Sequence, residues 1–281
     1  MMNSTKMRWP AVQPAPAAGM WRRQLLIGLV FGYVGVLIIA PLAALISGAF
    51  SEGLGAIIYA LSQPDVLAAF WQTLFIAVIV VVLHTVFGTM MVWVLVRDHF
   101  PGQRLLNALV DMPFAVSAVV VGYMLLLLFG RNGVLAPLLA MFDIKVAFAL
   151  PGMILATLFV TLPFMVRELI PVLKSFGIQQ EQAAATLGAS GWQTFWLVTF
   201  PALRWGFVYG IILTFARALG EFGAVLVIGG GIQGRTETAT LYIFRALDER
   251  MYVGAYSAAL VLGLLSLSLV LGTELFRRWR E

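Results

Sequence analysis

The sequence predicts an all-α membrane protein with six transmembrane helices, and three observations predict it. The 281 residues are 61% hydrophobic and only 11% charged, with mean hydropathy +0.96; soluble domains run nearer a quarter charged. Six apolar runs are each long enough to cross about 30 Å of hydrocarbon at about 1.5 Å per residue. The runs are continuous rather than alternating, which favours helices over barrel strands. Abundant Gly and Pro fit the same reading, because both are commoner in transmembrane helices than in soluble ones.

The first run, Leu25–Phe50, follows Arg22-Arg23 in the manner of a signal peptide. At about 25 residues it exceeds the roughly 7–15 of a signal core and reads as a retained helix. The tail before it, residues 1–23, contains the Pro/Ala-rich stretch Pro10–Gly19, which is expected to be disordered. The second run, Ala68–Val96, holds His84, read as a hydrogen-bonded packing residue with a proton relay as the other reading. In the third, Leu105–Phe129, Asp111 is expected to pair with Arg97 or Arg104, or to cap a helix before Pro113. The fourth, Val146–Val166, carries Pro163 and ends at Arg167-Glu168, an expected interfacial anchor. Pro113 and Pro163 are expected to kink their helices. The fifth and sixth runs are Leu203–Ile228 and Val253–Phe276. Residues 24–277 then form the membrane domain, and residues 278–281 a second tail.

The basic residues orient the bundle. One alternate set of connections carries Lys6, Arg8, Arg22, Arg23, Arg97, Arg104, Arg167, Lys174, Arg204, Arg277, Arg278 and Arg280; the other carries only Arg131, Lys145, Arg235, Arg245 and Arg250. The positive-inside rule places both termini and the segment 178–201 in the cytoplasm. The net charge of +5 thus reads as a topology signal, not as a nucleic-acid surface. No Cys and only two His exclude disulfides, cysteine-ligated metals and a histidine metal site. Gly229-Gly230-Gly231-Ile232-Gln233-Gly234 lacks the Lys-Ser/Thr of a phosphate-binding loop and reads as a flexible outer loop on which a soluble binding protein could rest. With no nucleotide-binding motif anywhere, no catalytic residue and no cofactor is expected, so any ATP-derived energy must come from another subunit.

The segment Glu181-Gln182-Ala183-Ala184-Ala185-Thr186-Leu187-Gly188, closed by Val198-Thr199-Phe200-Pro201, is small-sided and partly polar between two apolar runs. It has no use against lipid tails and reads as a docking element, its three Ala thin enough to enter a groove. Trp192, Phe195 and Trp196 supply aromatic anchors. The other reading is an amphipathic helix lying on the inner leaflet. The arrangement resembles the docking signature of ABC importer permeases: Glu-Ala-Ala, three residues, Gly, nine residues, Ile, one residue, Leu-Pro. Ala183, Ala184, Gly188 and Pro201 match in register, Gln182 replaces the Glu with Glu181 one residue earlier, and Val198 and Phe200 replace the Ile and Leu.

A narrower resemblance, over about residues 22 to 276, is to sulfate/thiosulfate importer permeases of the CysW type. It rests on Asp111–Ser117, Phe159–Pro171, Ala216–Ala224 and the run from Gly229 to Glu237. Molybdate permeases and the sister CysT permeases share the Gly-Glu-Phe-Gly-Ala element. The resemblance implies a type I (MetI-like) ABC importer fold with a core at about 66–276 and no enzymatic activity in this chain. It also implies a CysT-like second permease, two CysA-like ATPase subunits seated on Glu181, Gln182, Ala183, Ala184, Gly188 and Pro201, a periplasmic sulfate/thiosulfate-binding protein, and a bacterial inner-membrane location among lipid. Molybdate or tungstate remains an alternative substrate, and an ion-coupled secondary transporter an alternative class.

Arg217 and Glu221 are the sharpest residues in the spans. Arg217 falls near the middle of the fifth run, where an isolated Arg costs at least about 2.5–3.5 kcal/mol. Glu221, four residues on, shares its helix face. Two readings stand: a structural ion pair, or a pathway in which Arg217 meets a passing dianion while Glu221 steadies it or sets a gate. Gly220, Phe222 and Gly223 complete the candidate gate, the glycines permitting either close helix approach or a local break.

Overall fold

The structure, a computed structural model, describes residues 20–278. Most of the two expected tails, including Lys6, Arg8 and Arg280, lies outside the described residues. The chain divides into two compact units after Ser47. The first is essentially one helix, α1 (Met20–Ala49), in which apolar side chains such as Phe31 and Val36 stand exposed, as lipid contact requires.

The second unit begins with α2 (Leu54–Leu61) and α3 (Pro64–Leu83), continues through a π-helical turn, His84–Gly88, into α4 (Thr89–Arg97), then α5 (Gln103–Ala115), α6 (Ala118–Phe129) and α7 (Ala136–Met141). The long α8 (Leu150–Phe176) is followed by α9 (Gln179–Thr186) and α10 (Gly191–Thr194). A second π turn, Phe195–Thr199, leads into α11 (Phe200–Leu219), and α12 (Gly223–Gly229), α13 (Ala239–Asp248) and α14 (Tyr252–Arg278) follow. Pro64, in the first turn of α3, needs no backbone donor there.

Five stretches are long and apolar enough to cross a membrane: Trp21–Ala49, Pro64–Arg97, Leu150–Phe176, Gly191–Leu219 and Tyr252–Thr273. The predicted third run is not one straight helix. α5 and α6 meet at 115°, and six spans result when this bent pair is counted as one. Val116 and Ser117 are extended at the corner, three residues after Pro113. The predicted fifth run also breaks, at Gly220–Phe222. Pro163 and Pro171, by contrast, both lie inside the unbroken α8.

α8 is the hub, packing against α11, α12, α4 and α5. Towards its start Met153, Ala156 and Val160 meet Ile76, Val80 and Ile228; towards its end Met165, Leu169 and Leu173 meet Val92, Leu203 and Phe207. The π turn at His84 faces α8 directly. His84 Nε2 lies 2.9 Å from Thr161 Oγ1 and 3.1 Å from the Leu158 carbonyl oxygen. Thr161 gives its own proton to Thr157 O, so Nε2 carries the hydrogen and donates to both. This is the packing role. The other π turn precedes Pro201, whose ring would crowd the carbonyl four residues back in a regular helix.

A glycine contact closes the packing of α6 on α12. A Cβ on Gly122 of α6 would lie 2.6 Å from Val227 Cβ and 2.8 Å from the Ala224 carbonyl oxygen of α12. Gly122→Ala is therefore expected to push α6 off α12 and cost about 1–3 kcal/mol, read as a lower thermal-unfolding midpoint of the detergent-solubilised protein. An unchanged midpoint would mean that the contact is slack.

Candidate functional site

The docking candidates gather at the end of the bundle where α4, α8 and α11 have their termini. α9 and α10 form a corner there. Gly188 turns it with φ +85°, in the left-handed region that glycine enters without strain. No atom lies within 4 Å of a Cβ built on Gly188, so backbone conformation alone calls for glycine. Ser190 and Gln193 then form a capping box that starts α10. Gln182, Ala183, Ala185, Thr186 and Leu187 are exposed, with Leu187 at 88%. Ala184 is half-buried, and Pro201 is exposed in the first turn of α11. Trp192 and Trp196 are exposed and pack edge to face at 5.6 Å. Beside them, α4 and the π turn enclose an apolar groove of about 520 Å³ lined by Met90, Trp93, Phe195 and Phe207.

Glu181 behaves differently from its neighbours. It turns inward and lies 3.0 Å from Arg97 of α4, with only 14% and 12% of the two side chains exposed. The same oxygen accepts a 2.9 Å hydrogen bond from Thr199, and Arg97 also donates to the Gly177 carbonyl at 2.6 Å. This pairing was not legible beforehand: a Glu and an Arg 84 positions apart carry no local spacing signal, and Arg97 read as a topology marker and a candidate partner for Asp111.

The gate candidates sit at the break after α11. Arg217 lies in the last turn of that helix, not at mid-helix, because the helix ends at Leu219 although the apolar run continues. Arg217 Nη1 is 2.9 Å from Glu221 Oε2, a single-pronged contact. Glu221 is 2% exposed and Arg217 33%. The other Glu221 oxygen accepts from the Ala224 amide at 3.2 Å, satisfying a free donor at the start of α12. Thr240 of α13 donates to the Glu221 carbonyl at 2.7 Å. One residue thus reaches α11, α12 and α13, and part of the Arg217 guanidinium is left open. The two glycines divide the roles expected of both: Gly220 lies at the break, and Gly223 closes on α6, where an added Cβ would be 3.1 Å from Ala118 Cβ. Phe222 packs against Phe244 with ring centres 5.3 Å apart and the rings tilted by 53°.

Asp111 does not pair with Arg97 or Arg104. It binds Arg167 through two prongs, at 2.6 and 2.5 Å, joining α5 to α8. Arg167 is accordingly a helix–helix tie well inside α8, because α8 continues ten residues past the predicted end, to Phe176. At the opposite end of the bundle the glycine loop is a bonded turn: Thr236 Oγ1 donates to Gly229 O at 2.7 Å and accepts from Ile232 N at 3.0 Å. Nearby, Glu237 is nearly buried and forks onto Arg245, holding that guanidinium's pKa above its ordinary value. Among the described residues no cluster of His, Asp and Glu could hold a metal ion.

A family model described as "Binding-protein-dependent transport system inner membrane component" matches residues 85–280. The sulfate transport system permease protein CysW of Synechococcus elongatus is 50% identical over 242 residues, 86% of this chain and 85% of that protein. The sulfate transport system permease protein CysT of Escherichia coli K12 is 40% identical over 246 residues, 88% of this chain and 89% of that protein. In fold, the chain is similar to one from the crystal structure of a bacterial ABC transporter that imports the acidic polysaccharide alginate, with TM-score 0.76 at 16% identity, covering 94% of this chain and 99% of that one.

Glu221→Gln removes the countercharge of a two-thirds-buried guanidinium and weakens the hold on the break. It is expected to destabilise the detergent-solubilised protein by about 1–3 kcal/mol, and to speed amide exchange across residues 218–226. Unaltered exchange there would show that the break holds without the carboxylate.

Proposed function

Since the chain belongs to the binding-protein-dependent transport family of inner membrane components, we propose that it is the permease subunit of an ATP-driven importer that carries sulfate, with thiosulfate as a second substrate, into the cytoplasm. The observation that carries this reading is the 50% identity, along nearly the whole chain, to a sulfate permease. In the assembly proposed, it pairs with a CysT-like permease, two CysA-like ATPases dock on the corner formed by α9 and α10, and a periplasmic sulfate-binding protein meets the opposite end. The basic residues support cytoplasmic termini and a cytoplasmic docking corner.

Transport proceeds by alternating access. ATP binding closes the ATPase pair and draws the two docking corners together; the spans pivot, the inner mouth closes and the outer one opens. The exposed face of α9, small at Ala183 and Ala185 and apolar at Leu187, suits a groove on such a partner. Along the path, the open part of the Arg217 guanidinium offers N–H donors to a dianion. Glu221 offsets part of that charge, so the contact is weak and the anion leaves, while high specificity rests with the binding protein.

Vesicles containing the reconstituted complex and its binding protein should take up labelled sulfate only when ATP is present on the docking-corner side. Uptake of molybdate alone would change the substrate and leave the architecture standing; uptake driven by an ion gradient without ATP would overturn the reading. Gly188→Val forces a β-branched residue into the left-handed region, so ATP hydrolysis should continue while uptake falls by about tenfold or more. Arg217→Gln should lower uptake by about tenfold and Arg217→Lys should recover most of it; full uptake by the Gln variant would restrict Arg217 to its pairing with Glu221.

A further inference from the structure

Glu181 is the acidic residue of the docking corner, yet it turns inward and only 14% of its side chain is exposed. One oxygen, Oε1, receives both Arg97 Nη2 at 3.0 Å and Thr199 Oγ1 at 2.9 Å. Arg97 is the last residue of α4, Thr199 the last of the π turn that leads into α11, and Gly177, whose carbonyl also takes Arg97, follows the last residue of α8. α9 is bonded covalently to the chain on either side of it, and among the described hydrogen bonds and ion pairs it is this charge pair that joins it to α4. α4 is only nine residues long. Its other end is the π turn His84–Gly88, which is pinned to α8: His84 donates to Thr161 and Leu158, and a Cβ on Gly88 would lie 3.1 Å from Met165 Cγ. A short helix that continues from a turn with irregular hydrogen bonding, rests on α8 through Val92 and Leu95 and ends in a largely buried ion pair can tilt on that turn as a unit.

We propose that Arg97 and Glu181 form a strut that delivers displacement of the docking corner to α4, which tilts about the π turn at His84–Gly88. The proposal rests on the reading of α9 as the ATPase docking helix and adds that Glu181 is a positioning residue facing inward, not a contact for the ATPase. Movement of α4 widens or narrows the groove it shares with the second π turn, where Trp93 meets Phe195 edge to face at 5.8 Å. The exposed partner-facing surface is then left to Gln182, Ala183, Thr186 and Leu187.

The test uses the complete complex. The chain contains no cysteine, so Asp98→Cys and Lys174→Cys place one spin label just beyond α4 and one near the end of α8. With Arg97 and Glu181 intact, the interlabel distance should change between the nucleotide-free and ATP-bound states. In Glu181→Gln the change should disappear and sulfate uptake per ATP should fall about tenfold, while the ATPase subunits still co-purify and hydrolyse ATP. The exchanged pair Arg97→Glu with Glu181→Arg should restore both. The strut is refuted if the distance change survives in Glu181→Gln with uptake intact, or if that variant sheds the ATPase subunits, since Glu181 would then be a docking contact. Absence of ATPase subunits from the unaltered complex would instead overturn the docking reading, and the strut with it.

Discussion

Charge in a low-dielectric layer has to be met by charge, and that requirement ties this helical bundle together. Three ion pairs do the tying. Arg167–Asp111 fastens α5 to α8, Arg217–Glu221 crosses the break between α11 and α12, and Arg97–Glu181 fastens α9 to α4. Removing one member of the best-buried of them, Arg97–Glu181, leaves the other charge poorly solvated at a cost of about 3–5 kcal/mol, and the cost falls as the pairs become more exposed. None of these links can be relaxed independently of its partner. The apolar contacts around α8 supply bulk attraction, but they would tolerate a range of helix positions; the pairs select one.

The bundle is also defined by where its helices stop being regular. Besides the corner at Val116–Ser117, there is a break at Gly220–Phe222 and there are π turns at His84–Gly88 and Phe195–Thr199, and these three are held by contacts to neighbouring elements. Glu221 caps the start of α12, His84 and Gly88 press the first π turn to α8, and Thr199 ties the second to Glu181. Irregular backbone inside a membrane needs such internal partners because no water is present to supply them. These places can flex while remaining satisfied, as alternating access would require of them.

The legible parts of the sequence were those governed by local pattern. The apolar runs are set by bilayer thickness and the Gly188 corner by one dihedral, so each could be read from adjacent residues. The proximity of Arg217 and Glu221 followed from their spacing of four. The partners of Asp111 and Glu181 could not be read, because a pairing 56 or 84 residues apart is set by which helices become neighbours. The bend between α5 and α6 was legible in part: Pro113 was expected to kink this run, but the break falls three residues later, at Val116 and Ser117, whose extended dihedrals leave no mark on composition. Arg217 was placed at mid-helix for the same reason, since the apolar run continues past Leu219 although the helix does not.

α6 and α12 are each split from a preceding helix, and they lie against one another through Gly122 and Gly223 with no side chain intervening from those positions. Two pieces joined so closely cannot swivel separately. A rotation at residue 116 has to be accompanied by one near residue 221, so the two corners share a single degree of freedom. A conformational switch built this way is all-or-none within one subunit, with no half-turned state in which only one corner has moved.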